Sequence, residues 1–382
     1  MWNKFSERAK NIKPSAIRKF FDVPADVISL GVGEPDFDAS GPTINAGIDA
    51  LKTGKTHYTS SFGVFELRET ISQHLYKKYG VYYHPEKEIL ITVGASEGLY
   101  LAVASLINPG DEMIVITPCF VSYQGAIILA SGKPVEVACK FEDNFDVDLK
   151  AVEAAITPRT KGILLGFPSN PTGKVASRET IEALCDLALK YDLAIISDEI
   201  YDQLVYGVQH VCIPAIERIY DRTILLGGFS KAYAMTGFRI GYVAAPAEII
   251  EGPFKMHQYL IMSAPSISQH AAIAAMRDTQ EDVDRMVAEY DRRRKLVVKG
   301  MKEIGLDMVE PKGAFYAFPK ISNTGLDCDT FATRLLKEEK VALIPGAGFG
   351  PGGEECVRIS YATSYEKIEQ ALQRIDRFVN RL

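Results

Sequence analysis

The sequence predicts an α/β fold: a large domain built on a mostly parallel sheet, with a smaller α+β domain beside it. Three observations lead there. Short, predominantly apolar runs at residues 89–93, 113–116, 193–196 and 224–226 read as strands buried on both faces. Stretches of helical period separate them, as in strand–helix–strand units. The pattern then changes after residue 282, where a long helical segment is followed by short strands alternating with helices. At 382 residues the chain is long enough for more than one core.

Composition narrows the partners. Hydrophobic residues make up 47% and charged residues 24%, ordinary globular values, and the formal net charge is -6. The one short basic run, Arg292 to Lys295, lies between Glu289 and apolar residues and reads as a solvated helix face. Nucleic acid is therefore not an expected partner, and a small molecule is. The six cysteines are scattered without a C-x-x-C pair or neighbouring histidines, so they read as reduced thiols with no metal. The first residues are charged, and no apolar run reaches membrane-spanning length. The expectation is a cytoplasmic protein with no membrane partner.

In chain order, residues 15–21 read as a short amphipathic helix with Ile17, Phe20 and Phe21 on one side. Residues 27–30 lead into G-V-G-E-P-D-F-D, a rigid turn containing Gly33. Residues 44–51 are helical, Tyr58 lies in a polar loop, and Gly63 precedes a helix through Leu67, Ile71 and Leu75. The strand at 89–93 ends in Gly94, with Ala95 and Ser96 opening a helix to residue 107. The unpaired N–H groups of that first turn make an anion site. Phe120 falls just beyond the end of the strand at 113–116, on the side where open α/β sheets bind ligands.

Further strands are expected at 133–139 and 161–167, with a helix at 149–156 between them. S-N-P-T-G follows, and asparagine before proline favours an extended backbone with the Asn170 amide projecting from a fixed turn. The helix at 178–191 leads to the strand at 193–196 and then to S-D-E-I-Y. Asp198 ends an all-apolar strand, where an ionised carboxylate is costly without a cation, and Tyr201 follows three residues on.

The strand at 224–226 ends in two glycines and delivers Ser230 and Lys231 to the edge of the core, with Arg239 eight residues after the lysine. A desolvated lysine loses its proton more easily and forms Schiff bases. Ser230 and Arg239 supply the hydroxyl and guanidinium donors that a phosphate needs. Lysine and phosphate site together suggest pyridoxal phosphate. Residues 241–245 are expected to close the sheet, 258–276 to carry the chain away, and 282–304 to form a long helix. In V-R-I-S, alternation sets Arg358 on the face opposite its apolar neighbours.

S-K-x-x-x-x-x-G-x-R-x-G, from Ser230 to Gly241, resembles the lysine signature of class I pyridoxal-phosphate aminotransferases. S-N-P-T-G, S-D-E-I-Y, V-R-I-S-Y-A and the G-E-P-D-F turn extend the likeness to the aspartate and aromatic amino acid group over essentially the whole chain. The resemblance implies a fold-type I transferase with a seven-stranded sheet. Residues 45–281 would form the large domain, and residues 1–44 with 282–382 the small one. It implies a Schiff base on Lys231, which also serves as general base, with Asp198 at the ring nitrogen. Asn170 and Tyr201 would face the phenolate oxygen, and Phe120 would stack on the ring. Gly94, Ala95, Ser96, Ser230 and Arg239 would hold the phosphate, and Gly33, Asn170 and Arg358 the substrate carboxylate.

Tyr58 would reach the phosphate of a neighbouring subunit, making a homodimer with shared sites. The implied reaction is ping-pong transamination of an L-amino acid with 2-oxoglutarate. A β-lyase, a decarboxylase or an aminocyclopropane carboxylate synthase on the same fold is the alternative; the non-enzymatic alternative is a pyridoxal-sensing regulator domain, for which a helix-turn-helix extension or basic arm would be expected. Some aspartate-using relatives carry a basic residue where this chain has Ser96. With Ile17, Phe20 and Tyr123 as apolar or aromatic neighbours, the expectation is an aromatic donor in preference to aspartate.

Overall fold

A computed structural model describes residues 4–12 and 24–382. The short strand β1 (Ile28–Ser29) precedes the seven strands of the main sheet. These are β2 (Ile89–Thr92), β3 (Glu112–Thr117), β4 (Lys133–Ala138), β5 (Thr160–Gly166), β6 (Ala194–Asp198), β7 (Thr223–Gly228) and β8 (Gly241–Ala244). Their order across the sheet is β2-β8-β7-β6-β5-β3-β4. Every pairing is parallel except those of β8, which runs antiparallel between β7 and β2.

The apolar runs form strands because both faces are covered. Along β3, Met113 and Val115 enter one hydrophobic cluster while Ile114 and Ile116 enter another, as a period of two requires. The expectation that residues 241–245 close the sheet is corrected by the pairing, since β8 is internal and β2 is the edge. A chain that returns on itself after β7 pairs at once with its neighbour, and Gly228 lies opposite Gly241. The loop so closed, residues 229–240, carries Ser230, Lys231 and Arg239 at one end of the sheet. The carboxyl ends of β2, β3, β5, β6 and β7 all point to that end.

Helix Gly94–Leu106 follows β2, as expected within a residue at each end. The long helix runs Gln280–Ile304 and stops at Gly305, whose φ of 81° takes the left-handed cap. Residues 258–276 are not one segment: Ala247–Leu260 and Ser266–Asp278 are separate helices. A helix at Ser122–Leu129 was not foreseen, and the helix expected at 15–21 lies outside the described residues.

Beyond the long helix, β9 (Tyr316–Ala317), β10 (Val341–Ala342), β11 (Ile344–Pro345) and β12 (Val357–Ser360) form small sheets. The order β11-β12-β9 is antiparallel, and β10 pairs in parallel with β1, tying the early chain to its C-terminal part. Among the described residues no helix is long and apolar enough to cross a membrane.

Candidate active site

The carboxyl end of the main sheet opens onto a cavity of about 820 Å³, whose walls come from the strand ends, the loop before β8 and the small sheets. Ala95, Ser96, Phe120, Asn170, Asp198 and Tyr201 line it from the main sheet, and Ser230, Lys231 and Arg239 from the loop. Gly33 and Arg358 line it from the opposite side. Gly33 and Arg358, 325 positions apart in sequence, thus line one cavity.

Lys231 Nζ donates to the Gly33 carbonyl at 2.7 Å and lies 5.9 Å from the Tyr201 ring centroid. Burial is the main cause that pushes its pKa down to about 8; Glu34 opposes the shift, and the Arg358 and Arg239 guanidiniums add to it. This lysine is an amine that can be unprotonated near neutral pH. Asp198 is the last residue of β6 and is 8% exposed. Its Oδ2 accepts from Tyr123 Oη at 2.9 Å and its Oδ1 from the Ile200 N–H at 3.3 Å. Burial nevertheless raises its pKa to about 6, because two neutral donors only partly replace water.

Arg358 is 1% exposed, since β12 is covered on both faces. The solvent-facing placement ordinary for an arginine does not hold here. Its Nη1 donates to Asn170 Oδ1 at 2.9 Å and its Nη2 to the Gly31 carbonyl at 2.5 Å, and its guanidinium sits 4.6 Å from the Tyr316 ring centroid. Nε has no partner among the described residues. Among the described residues its hydrogen-bond acceptors are neutral and no carboxylate pairs with it, so an incoming carboxylate fits this buried cation. Because Asn170 spends its oxygen on Arg358, its amide N–H groups stay available to the cavity.

At the other end, helix Gly94–Leu106 starts without a side-chain cap, with Ala95 and Ser96 at the cavity wall. Gly94 has φ +71°, and a Cβ there would stand 2.8 Å from Arg239 Nη2, so glycine lets the guanidinium lie against the helix start. Arg239 Nη1 donates to the Thr236 carbonyl at 2.9 Å, which aims it. Helix N–H groups beside a guanidinium are donors suited to an anion, and Ser230 lines the same cavity.

Two expected residues do not line this cavity: Gly94, which stands at the helix start against Arg239, and Tyr58. Tyr58 is 83% exposed and lines no part of it. Tyr123 lines the cavity as expected, and its hydroxyl is in addition committed to Asp198. Ile17 and Phe20 lie outside the described residues. Sequence reasoning missed Tyr316, whose Oη bonds Tyr201 Oη at 2.8 Å, and Glu34, whose carboxylate accepts from Thr236 Oγ1. The run A-F-Y-A-F before Pro319 was a signal for Tyr316, though nothing in it separates a site tyrosine from core aromatics.

A lysine amine, a carboxylate and two guanidiniums spaced around one cavity are what an amino-group transferase with a phosphorylated cofactor requires. The chain belongs to the aminotransferase class I and II family, whose model matches residues 25–375. Within it, this is a fold-type I enzyme of the aspartate and aromatic aminotransferase group. It is 44% identical to an aspartate aminotransferase of Pyrococcus abyssi and 41% identical to aromatic-amino-acid aminotransferase 2 of Thermococcus litoralis, each over 97% of both chains. Among solved structures, aspartate aminotransferase from Thermus thermophilus with maleate superposes with a TM-score of 0.94 at 36% identity, covering 98% of this chain and all of that one.

Proposed function

We propose that the enzyme transfers the amino group of an L-amino acid, an aromatic one in preference to aspartate, to 2-oxoglutarate by a ping-pong route using pyridoxal phosphate. Lys231 carries the reading: an amine with its pKa near 8, in a cavity that also holds a buried carboxylate and a buried arginine with no ion pair among the described residues. The residues present fit the cofactor. The helix start at Gly94 has no side-chain cap and lies against Arg239, Ser230 lines the same cavity, and among the described residues Asp198 forms no ion pair.

Pyridoxal phosphate, when bound, supplies an aldehyde that captures amino groups and a protonated ring that draws electron density from the substrate Cα. The helix N–H groups of Ala95 and Ser96, with Ser230 and Arg239, bind the phosphate. Asp198 holds the proton at the ring nitrogen, and Phe120 covers one ring face. The Asn170 amide and the Tyr201 hydroxyl, itself bonded to Tyr316, orient the ring oxygen. Arg358 and the backbone at Gly33 grip the α-carboxylate and so present Cα to Lys231. Lys231 Nζ, once free, takes the proton from Cα and later returns one to the acceptor.

The cavity supports the donor preference. Among the described residues its cations are Lys231, Arg239 and Arg358, each already engaged in the scheme above. No fourth cation meets a distal carboxylate, while Leu99, Tyr100, Val121 and Leu129 offer apolar wall. Initial rates with 2-oxoglutarate test this: kcat/KM should be higher for phenylalanine, tyrosine or tryptophan than for aspartate. Aspartate ahead of all three would overturn the ranking.

The site is shared in a homodimer on this reading, with Tyr58 serving the partner's phosphate. Its exposure supports this, as do the exposed Ile44, Ile48, Leu51, Tyr259 and Leu260. Mixing inactive Tyr58→Ala and Lys231→Ala subunits should rebuild one intact site, and exchanged mixtures that stay inactive would rule sharing out. Residues 45–281 then act as the cofactor-holding domain, and 1–44 with 282–382 as the smaller one.

A further inference from the structure

Among the described residues Asp198 has one side-chain hydrogen-bond donor, Tyr123, and the fold makes room for it. Tyr123 sits in the first turn of helix Ser122–Leu129, is 5% exposed, and puts its hydroxyl 2.9 Å from Asp198 Oδ2. Phe120 packs against it edge-on, with ring centroids 5.8 Å apart and planes at 88°. The path of the hydroxyl crosses the end of β5, where a Cβ on Gly166 would lie 2.1 Å from Tyr123 Oη. A strand residue without a side chain stands where this hydrogen bond passes.

We propose that Tyr123 is a positioning residue for the ring-nitrogen site: its hydroxyl keeps Asp198 ionised and aimed into the cavity, ready for a cationic ring nitrogen. The proposal rests on the pyridoxal phosphate reading above. A carboxylate in this place has to stay charged while little water reaches it. Burial alone drives Asp198 toward the neutral form, which cannot pair with a cation.

The groups that face Asp198 are few. The Tyr123 hydroxyl and the Ile200 N–H pull its pKa down, the neighbouring Glu199 pushes it up, and Lys231 across the cavity helps slightly when protonated. Tyr123 is itself so buried, and so close to Asp198, that its own pKa lies far above 10, so it stays a donor throughout the working range. Removing the hydroxyl raises the Asp198 pKa further, from about 6 toward neutrality. At pH 7 a sizeable fraction of sites is then unable to hold the protonated ring. Tyr123 thus touches neither substrate nor cofactor through its hydroxyl and acts through Asp198.

The test uses the full-length chain freed of cofactor and two probes: pyridoxal phosphate, and its analogue with the ring nitrogen replaced by C–H. In the wild-type chain pyridoxal phosphate should bind more tightly than the analogue, and Asp198→Ala should abolish that preference. Tyr123→Phe should cut the preference roughly tenfold, about one pKa unit of differential interaction. It should also move the acidic limb of pyridoxal phosphate affinity up by about one pH unit. Binding of the nitrogen-free analogue and the circular dichroism spectrum should not change, which separates this effect from damage to the fold. An unchanged preference and limb in Tyr123→Phe, with the wild-type preference present, would reduce Tyr123 to a packing residue. A wild-type chain that binds both probes alike would remove the ring-nitrogen role of Asp198, and that of Tyr123 with it.

Discussion

Two buried carboxylates stand at opposite ends of the main sheet, and they are treated in opposite ways. Glu112 opens β3 and is 1% exposed; it accepts from Thr157 Oγ1 at 2.6 Å, Arg159 Nη2 at 3.0 Å and Lys133 Nζ at 3.3 Å. The bonds from Thr157 and Arg159 hold its pKa down at about 2, outweighing burial. Asp198 closes β6 with only a tyrosine hydroxyl and one N–H, and burial lifts it to about 6. One carboxylate is saturated by donors supplied within the fold. Among the described residues the other has no ion-paired cation, and that shortage lies at the cavity end of the sheet.

The largest effect should come from filling that shortage with nothing. Asp198→Asn should lower kcat on the order of 10²–10³-fold, the scale on which a fixed electrostatic partner is lost, while the cofactor-free chain unfolds no more easily than wild type. A rate within a factor of about three of wild type would dissolve the contrast. Glu112→Gln should do the reverse, keeping kcat but costing about 1–2 kcal/mol in denaturant unfolding, because its partners are partly screened by solvent.

The pH dependence of stability should also split by sign. Asp198 has a folded pKa above its ordinary value, so between about pH 4 and 6 the folded state binds the extra proton. Its contribution to stability is therefore present at low pH and lost as pH rises through about 6. Glu112 has a depressed pKa, so its contribution holds above about pH 4 and is lost as pH falls toward 2. Urea unfolding of the cofactor-free chain at pH 5 and pH 7 should show wild type losing on the order of 1 kcal/mol relative to Asp198→Asn over that interval. Parallel curves would mean that Asp198 ionises alike in both states.

Legibility in the sequence followed the same division. Strands covered on both faces announced themselves as apolar runs, and residues set just past their ends, such as Lys231 after two glycines and Asp198 after Ile195 and Ile196, stood out by contrast. What depends on a distant partner did not show. The insertion of β8 between β7 and β2 is a pairing choice that no local pattern encodes. Helix Ser122–Leu129 holds Gly125 and an apolar half with no clear stripe, so it carried little periodic signal. The wall residue Tyr123 is also a donor to Asp198, 75 positions on, which no local pattern announces. For Arg358 the alternation was right, but a strand buried on both faces leaves no solvent side.

The smallest expected effect concerns how the saturated carboxylate divides its partners. Lys133 and Arg159 side chains are 66% and 64% exposed, so each is a flexible cation in water meeting a buried anion. Thr157 donates the shortest of the three bonds, and its hydroxyl is the first-ranked cause of the low Glu112 pKa. Lys133→Ala should therefore cost less than about 0.5 kcal/mol, since the screened ion pair is worth little and Arg159 can take up the charge. Thr157→Val should cost about 1 kcal/mol, because it removes a hydrogen bond to a charged, buried acceptor that water cannot easily replace. If denaturant unfolding finds the lysine variant the more damaged, then Glu112 is held by charge from outside the fold. In that case the saturated end of the sheet differs from the Asp198 end only in having its cations already in place.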